Sequence, residues 1–545
     1  MKKYLKKVLE LSLKKQIPII GIILVIILSV AITPKTLQND TYYTIKIGEH
    51  IQENGLDMKD PFSFHEDLPY TYPHYLYDYT TFLIYNNFGM DGIYIATCIL
   101  SVALGLTIYL VNRKISKKEV LPLVITLIAM YALQPYIAAR AQLVTFILFM
   151  LEIYGIEMFL LNKKIRYAIL LLIIPILIAN IHVAVFPFYF VLYMPYIAEY
   201  IWIVFNEKIL FAEGEIKKIE KKIKNPEEKK EKIEKIKESI QKRKIRREKE
   251  LQNAVRIKYV KNNNVKWLIL LCIIAIFTGL LSPLKTTSYT YLVNTMQGTT
   301  IKSISEHQPT IVVKSEKVII ISSIILAILM FTKTKIRLSD LLMLFGLYVL
   351  TIYTRRQLSI LILVGTVILI KELIILIETV LTKEKQDILE KQITTVIPII
   401  LIMVITLVTS YNLLEKKKDD EYIDNTKYPV EASKFIKENL NVENLRLFNE
   451  YNYGSYLLFQ GIPIFMDSRA DLYDLSFNKK ENIFEDYMDT SNLKIFYEDT
   501  FKKYDITHVI LYEKSKINTF IKNTGKEKYK QIYKDDYFVI YKIEE

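Results

Sequence analysis

The sequence predicts a polytopic α-helical membrane protein with a charged helical insert and a C-terminal α/β domain. Hydrophobic residues make up 51% of the chain. Most of them fall in blocks of about 17–23 residues, the length that an α-helix needs to cross a bilayer. A strongly charged segment, 206–265, interrupts these blocks, and residues 412–545 have a mixed polar and apolar composition. Together these observations predict about eleven transmembrane helices within residues 1–411.

The predicted spans coincide with the apolar blocks. We place them at 17–33, 91–111, 119–139, 142–161, 167–181, 183–205, 266–282, 317–332, 338–354, 357–378 and 393–411. The fifth and sixth depend on a reversal of the chain at residues 180–183, where Asn180 and His182 interrupt one long apolar stretch. If this apolar stretch crossed the membrane only once, the orientation of every later span would be reversed. The first span follows a basic N-terminus but precedes no small-residue cleavage site, so we interpret it as an anchor and not as a signal peptide.

Positive charge predicts the orientation of the spans. Cytoplasmic loops of membrane proteins are enriched in Lys and Arg. Here the basic residues concentrate in the N-terminus, in segment 206–265 and in the loops 112–118, 162–166 and 333–337, which all share one side in an eleven-span arrangement. We therefore expect a plasma-membrane protein with a cytoplasmic N-terminus. The first loop, 34–90, and the C-terminal domain are then extracytoplasmic.

Composition restricts the class of function. The net charge of +14 follows from the predicted topology and from contact with anionic lipid, so it does not indicate a nucleic-acid partner. Cys98 and Cys272 are the two cysteines of the chain, and both lie in predicted spans. This placement excludes a disulfide framework in the exported domain and a metal site built from thiolates.

Two polar regions are expected to fold outside the membrane. In the insert, Asn225 and Pro226 predict the start of a helix that is charged nearly all round, either a solvated hairpin or a surface for a partner or for lipid. In the C-terminal domain, β-branched and aromatic residues predict strands, with amphipathic helices between them and a hairpin turn at Asp535 and Asp536. The predicted strands are 445–450, 463–467, 507–512 and 537–543, and the predicted helices are 427–440, 451–461 and stretches within 478–505.

Asp40 is the leading catalytic candidate. It lies seven residues past the first predicted span, at the head of the first loop. A carboxylate just outside the bilayer can deprotonate an acceptor hydroxyl or bind a divalent cation such as Mg²⁺ or Mn²⁺. The alternative is a structural role, because Asp can also cap the helix that the following residues predict.

Other acids and histidines of the first loop are also candidates for catalysis. Asp60 begins a D-P-F-S-F turn, and His74 and Asp78 have the i, i+4 spacing that places both on one face of a helix. The alternatives are a purely structural turn at Asp60 and an interfacial aromatic belt around His74 and Asp78.

Basic residues at the predicted outer ends of spans are candidates for phosphate binding. Arg140 opens the fourth span, and Arg355 and Arg356 close the ninth. A guanidinium can hold a phosphate through two hydrogen bonds, whereas the alternative is ordinary snorkelling to the membrane surface. His182 joins this group, although a lone histidine in a tight hairpin can equally be a packed helix cap.

Candidates for the acceptor side lie in a late loop and in the C-terminal domain. Glu306 and His307 are at the predicted outer face, and Asp467, Arg469 and Asp471 directly follow a predicted strand. Alternating charges at the end of a strand are a common place for ligand contacts in α/β folds. A salt-bridged loop is the alternative.

The order of these segments along the chain resembles one family of membrane enzymes. An Asp followed by aromatic residues comes after the first span, then a D-P-F-S-F segment, then a His- and Tyr-rich stretch. Further on are an R-P-Q-like segment with Ala141 for Pro, N-x-H at 180–182, an N-P-like motif with Ser282 for Asn, an E-W-like segment with His307 for Trp, and a D-x-R-x-D motif at 467–471. The chain resembles the GT-C superfamily of membrane glycosyltransferases, and within it a bacterial group with a C-terminal extracytoplasmic domain.

The resemblance implies an integral-membrane glycosyltransferase with a GT-C-like fold. Its donor would be a polyprenyl-phosphate-linked sugar, and its acceptor a cell-envelope glycan, lipid or protein. Asp40 would be the catalytic or metal-binding carboxylate, and the basic residues above would bind the donor phosphate.

Two other functions stay open. One is a surface-polysaccharide polymerase or ligase, which usually lacks a large C-terminal domain. The other is a non-enzymatic envelope assembly protein or transporter. A transporter should show Gly- or Pro-broken spans in repeated halves, and the sequence shows no such repeat.

Overall fold

A computed structural model describes residues 2–210, 226–253, 257–304, 306–309, 334–525 and 527–544, together with Ser322 and Ile325. This part of the chain is mostly helical and carries a small C-terminal sheet. The eighth predicted span, 317–332, lies outside the described residues apart from Ser322 and Ile325. Both cysteines are free.

Helices follow one another up to residue 416. In chain order they are α1 (Lys2–Ile32), α2 (Asn39–Asn54), α3 (Tyr75–Ser116), α4 (Val120–Leu133), α5 (Ala141–Asn162), α6 (Ile165–Ile181), α7 (Phe186–Val191), α8 (Met194–Leu210), α9 (Pro226–Asn253), α10 (Val265–Thr278), α11 (Thr287–Gln297), α12 (Thr300–Ser303), α13 (Leu338–Tyr353), α14 (Leu358–Val380), α15 (Lys383–Ile393) and α16 (Val396–Lys416). Strands β1 (Ile257–Lys258) and β2 (Ile336–Arg337) form a short parallel pair. The insert contributes α9, which starts at Pro226 as predicted.

Five described stretches are long and apolar enough to cross a membrane. They are Tyr75–Ser116, Ala141–Asn162, Val183–Phe205, Arg355–Val380 and Val396–Lys416. Five further apolar helices are shorter, namely Gln16–Ile32, Val120–Tyr136, Ile165–Ile181, Val265–Thr278 and Leu338–Tyr353. The chain therefore has the helices of a membrane protein, whereas a total of eleven spans stays a prediction.

Two glycines and one histidine shape the helical body. In α3, Gly89 has a positive φ of 60°, which kinks the helix between the residues before and after it. Gly48 lets α2 approach α3 closely, because a Cβ there would meet the Asp78 carbonyl oxygen at 2.2 Å. Helix α6 ends before His182, whose backbone is not helical, and the chain reverses there. The Tyr189 hydroxyl beyond the reversal donates to the Leu171 carbonyl in α6.

The C-terminal domain contains a four-stranded sheet. Its strands are β3 (Leu447–Phe448), β4 (His508–Tyr512), β5 (Tyr529–Lys534) and β6 (Phe538–Ile543), in the order β3-β4-β6-β5. Only the β3–β4 pairing is parallel. Its helices are α17 (Val430–Asn439), α18 (Gly454–Phe459), α19 (Leu475–Asn478), α20 (Ile483–Ser491), α21 (Tyr497–Lys503) and α22 (Lys516–Thr524).

The structure confirms most of the predicted strands and corrects one. The segments 507–512 and 537–543 are strands, and Asp535 turns the hairpin by accepting hydrogen bonds from the amides of Tyr537 and Phe538. The predicted strand 463–467 is wrong. There the Asn449 side chain satisfies backbone groups of the segment, so they do not pair with a neighbouring strand. Strand β5 is the first arm of the predicted hairpin, but the sequence did not predict its bounds, because its composition is largely polar.

The first loop and the C-terminal domain share one hydrophobic core. The buried Tyr42 ring packs edge-to-face on Tyr428 and Tyr456, at centroid distances of 5.0 and 5.2 Å. Ser63 bridges to Ile464 as an isolated parallel pair. Residues 34–90 and 412–545 therefore cover the same end of the helical body, which we call the domain end.

The first and last apolar helices meet beside this core. Helix α1 packs along α16. The Lys417 ammonium donates to the carbonyl oxygens of Val30 and Thr33, at 2.9 and 2.7 Å. Just beyond, the Leu37 amide donates to the Tyr422 carbonyl at 2.9 Å.

A buried ion network joins the first loop to the C-terminal domain. Arg469 binds both carboxylate oxygens of Asp467 and donates through Nη1 to Asp60 at 2.7 Å. The side chains of Asp60 and Arg469 are only 0% and 3% exposed. Burial acts to raise the pKa of Asp60, but the Arg469 charge and hydrogen bonds from Ser63 outweigh burial and hold that pKa below its ordinary value.

His65 makes the same interface sensitive to pH. Its Nε2 lies 2.8 Å from the Phe465 carbonyl oxygen. Burial lowers the pKa of His65 from 6.5 to about 4, and the nearby charges of Asp60 and Arg446 act in opposite directions. The folded protein thus favours neutral His65, so its contribution is present above pH 6.5 and is lost as the pH falls towards 4.

We therefore expect acidification from pH 7 to pH 4.5 to destabilise the wild type by about 2 kcal/mol more than His65→Gln, since one pKa unit corresponds to about 1.4 kcal/mol. Thermal unfolding of both purified proteins at the two pH values measures the difference. An equal loss of stability in both proteins would contradict this role of His65.

Candidate site

A cavity of about 980 Å³ lies where the helical body meets the domain end. The first loop contributes Asp40 and His74, and the C-terminal domain contributes Arg469 and Asp471. The helical body contributes Arg140, His182, Glu306, His307 and Arg356. The cavity thus brings together polar residues that are far apart in the sequence.

Asp40 is held by Arg140, and it does not cap its helix. The N-cap position of α2 is Gln38, and Asp40 lies in the first turn. Its Oδ2 is 2.9 Å from Arg140 Nη2. Arg140 directly precedes α5 and has an extended backbone, so its side chain can reach the first loop. Burial acts to lower the pKa of Arg140, but the charges of Asp40 and Glu306 raise it above its ordinary value.

Three histidines line the cavity in their neutral form. The rings of His74 and His182 lie 4.8 Å apart, and Thr145 Oγ1 is 2.9 Å from His182 Nδ1. Burial, with the charge of Arg356, lowers the pKa of His74 to about 3 and that of His307 to about 4. At neutral pH these rings therefore offer hydrogen bonds and no charge.

The structure separates Arg355 from Arg356. Arg355 does not line the cavity, and its Nε donates to the Pro309 carbonyl at 3.3 Å. Arg356 lines the cavity, and among the described residues its guanidinium has no ion pair or side-chain hydrogen bond. Its positive charge acts to lower the pKa of both Glu306 and Asp471. Arg356 thus places a positive charge at the cavity.

The C-terminal domain adds a carboxylate to the cavity. Asp471 accepts a hydrogen bond from the Tyr291 hydroxyl of α11. Burial raises the pKa of Asp471 to about 6, despite that hydrogen bond and the charge of Arg356. Its neighbour Asp474 accepts hydrogen bonds from the Thr299 amide and hydroxyl, which fixes α11 and α12 against the domain.

One wall of the cavity is apolar. Helix α13 contributes the side chains of Leu342, Met343, Phe345, Leu347, Leu350 and Tyr353 to it, and the region of α7 and α8 contributes Phe188, Val191 and Pro195. Both elements belong to the apolar part of the chain, so the cavity continues from the polar residues at the domain end into the helical body.

Some predicted site residues do not line the cavity. Asp60 and Asp467 are bound by Arg469 in the buried network and so have a structural role. Asp78 is completely buried between α2 and α3, while His74, its predicted partner on one helical face, lines the cavity. The Asp78 amide donates to the His74 carbonyl, as the predicted helical spacing requires. Of the two side chains, however, only that of His74 lines the cavity.

Sequence reasoning missed Tyr291, Thr145 and the whole apolar wall. Tyr291 and Thr145 lie in helices whose sequences show no unusual pattern, and their roles arise from contacts across 180 and 37 residues. The apolar wall is indistinguishable in sequence from any other apolar helix face.

A divalent cation is the other ligand that the sequence allows for the Asp40 carboxylate. The Asp40 carboxylate is occupied by Arg140. Within the described ranges, no group of three or more His, Cys, Asp or Glu side chains could hold a metal ion. A role of Asp40 in binding a divalent cation stays a prediction.

Compared with models of known protein families and with curated proteins, the sequence gives no match.

Proposed function

We propose that the protein is a glycosyltransferase that moves a sugar from a polyprenyl-phosphate donor to a cell-envelope acceptor at the extracytoplasmic face of the membrane. The observation that carries the proposal is the two-part character of the cavity. A cationic, hydrogen-bonding end adjoins an apolar wall within the membrane-embedded helices. A lipid phosphate needs both parts, one for its head group and one for its isoprenoid chain.

The polar residues suit the chemistry of such a transfer. The acceptor hydroxyl oxygen forms a bond to the anomeric carbon, the bond from that carbon to the phosphate oxygen breaks, and polyprenyl phosphate leaves. The acceptor proton passes to the Asp40 carboxylate, which lies 2.9 Å from the Arg140 guanidinium. The leaving phosphate gains negative charge, and Arg356 can stabilise that charge.

The resemblance to GT-C enzymes supports the same assignment. A direct test incubates the purified full-length protein with polyprenyl-phosphate sugars and cell-envelope fractions and follows release of polyprenyl phosphate. Mass spectrometry of surface glycans from a deletion strain then identifies the product. Donor turnover together with loss of one glycan in the deletion strain supports the proposal. An unchanged glycan profile without turnover contradicts it and favours an assembly protein.

Arg356 and Arg355 provide a matched pair of variants. We expect Arg356→Gln to weaken binding of the donor phosphate by about 1.5–3 kcal/mol, roughly 10- to 150-fold, because a hydrogen bond to a charged group is lost. Arg355→Gln removes the same charge one residue away, outside the cavity lining, and should bind donor nearly as well as the wild type. Isothermal titration with a short isoprenyl phosphate measures both. Equal losses would show that nearby charge matters, and not a specific contact of Arg356.

A further inference from the structure

The carboxylate of Glu306 pairs with Arg140, and the charge of Arg356 also acts on it. Its Oε1 is 3.4 Å from Arg140 Nη1. Its own carbonyl oxygen accepts a hydrogen bond from the Arg356 amide at 3.2 Å, and the Gln308 carbonyl accepts one from the Arg355 amide at 3.1 Å. The backbone of residues 306–309 is therefore fixed against the start of α14, while the Glu306 side chain points into the cavity.

The two acidic partners of Arg140 are not equivalent. Asp40 is close, at 2.9 Å, and its side chain is 22% exposed. Glu306 is farther away, at 3.4 Å, and its side chain is 49% exposed. A longer and more exposed ion pair is weaker. Glu306 is thus the partner that another anion can replace, whereas Asp40 stays bound to Arg140.

The Glu306 carboxylate compensates positive charge in the cavity. Burial acts to raise the pKa of Glu306, but the charges of Arg140 and Arg356 lower it below its ordinary value, so the carboxylate is ionised. Without it, the guanidinium groups of Arg140 and Arg356 would have only Asp40 and Asp471 as carboxylate counter-charges among the described cavity residues. Uncompensated charge of this kind is costly.

We propose that Glu306 is an internal competitor of the donor phosphate and pairs with Arg140 until the phosphate displaces it. This inference rests on the proposed function. A phosphate offers more charge and more acceptor oxygens than a carboxylate, so it can replace Glu306, whereas weakly binding anions cannot. Glu306 would therefore both keep the empty cavity neutral and select phosphate-bearing ligands.

The test compares binding of farnesyl phosphate to full-length protein in lipid nanodiscs. We expect Glu306→Gln to bind about two- to fivefold more tightly than the wild type, because the competing ion pair is lost. Glu498→Gln is the control for net charge, since Glu498 pairs with Lys528 in the C-terminal domain and does not line the cavity. Unchanged or weaker binding by Glu306→Gln overturns the proposal.

A measurement on the wild type does not depend on any variant folding correctly. Carbodiimide labelling followed by mass spectrometry reports the accessibility of single carboxylates. We expect farnesyl phosphate to increase labelling of Glu306, because it is released, and to decrease labelling of Asp471, because the cavity is filled. Constant or decreased labelling of Glu306 counts against its displacement.

The outcomes separate this inference from the proposed function. If the wild type does not bind farnesyl phosphate, both proposals are overturned. If the wild type binds and Arg356→Gln weakens binding, but Glu306→Gln binds no more tightly, only the role of Glu306 is overturned.

Discussion

We expect Asp40→Asn to abolish sugar transfer while the protein still inserts and folds. General bases contribute about 10²- to 10⁴-fold to a rate, and an amide cannot accept the acceptor proton. Asn can still accept a hydrogen bond from Arg140, so the position of the first turn of α2 should be preserved. The measurement is donor turnover by purified protein at equal expression, together with the surface glycan profile of a deletion strain carrying the variant.

The control for this variant is Asp67→Asn in the same loop. Asp67 is exposed, its nearest cation is Lys59 at 3.5 Å, and its positive φ of 53° suits Asn. We expect wild-type turnover from it. If Asp40→Asn restores the full glycan profile, Asp40 only positions Arg140, and the base must be sought elsewhere in the cavity, with Asp471 the first candidate.

We expect Arg469→Met to destabilise the protein by about 3–5 kcal/mol, because it leaves Asp60 and Asp467 buried without their shared counter-charge. The first loop should then detach from the C-terminal domain. Limited proteolysis should cut residues 34–90 faster, and the unfolding temperature should fall. The cavity is built at this interface, so turnover should be lost as well.

A surface ion pair supplies the comparison for Arg469. Lys494 contacts Asp489 at 2.8 Å near the exposed end of α20, and Lys494→Met should change stability little. Adding Asp467→Asn to Arg469→Met should restore part of the lost stability, since one uncompensated carboxylate is removed. Equal unfolding temperatures for Arg469→Met and Lys494→Met would refute the importance of the network.

The sequence predicted the helices well because the thickness of a bilayer imposes their length and composition. Prediction from the sequence was less successful where a distant side chain determines the backbone conformation of a segment. The segment 463–467 has the composition of a strand, yet Asn449 satisfies its backbone, and β5 is polar because it lies at the edge of the sheet. The union of the first loop with the C-terminal domain was not predictable, since it joins residues about 400 positions apart, such as Asp60 and Arg469.

The candidate residues were found because polar groups near a membrane are costly and are retained for a reason. That argument cannot separate ligand contacts from structural ones. It ranked Asp60 with Asp40, although Asp60 is fixed by Arg469, and it treated Arg355 and Arg356 alike, although only Arg356 lines the cavity. Arg355 and Arg356 are adjacent in sequence, but their side chains point in different directions. Those directions depend on the packing around each side chain, which the sequence does not show.

The contact between the first and last apolar helices imposes an order on biosynthesis. Lys417 donates a hydrogen bond to the Val30 carbonyl across 387 residues, so the chain just before Asp40 gains this contact only after Lys417 has been synthesised. A nascent protein therefore carries an unassembled cavity through most of its translation.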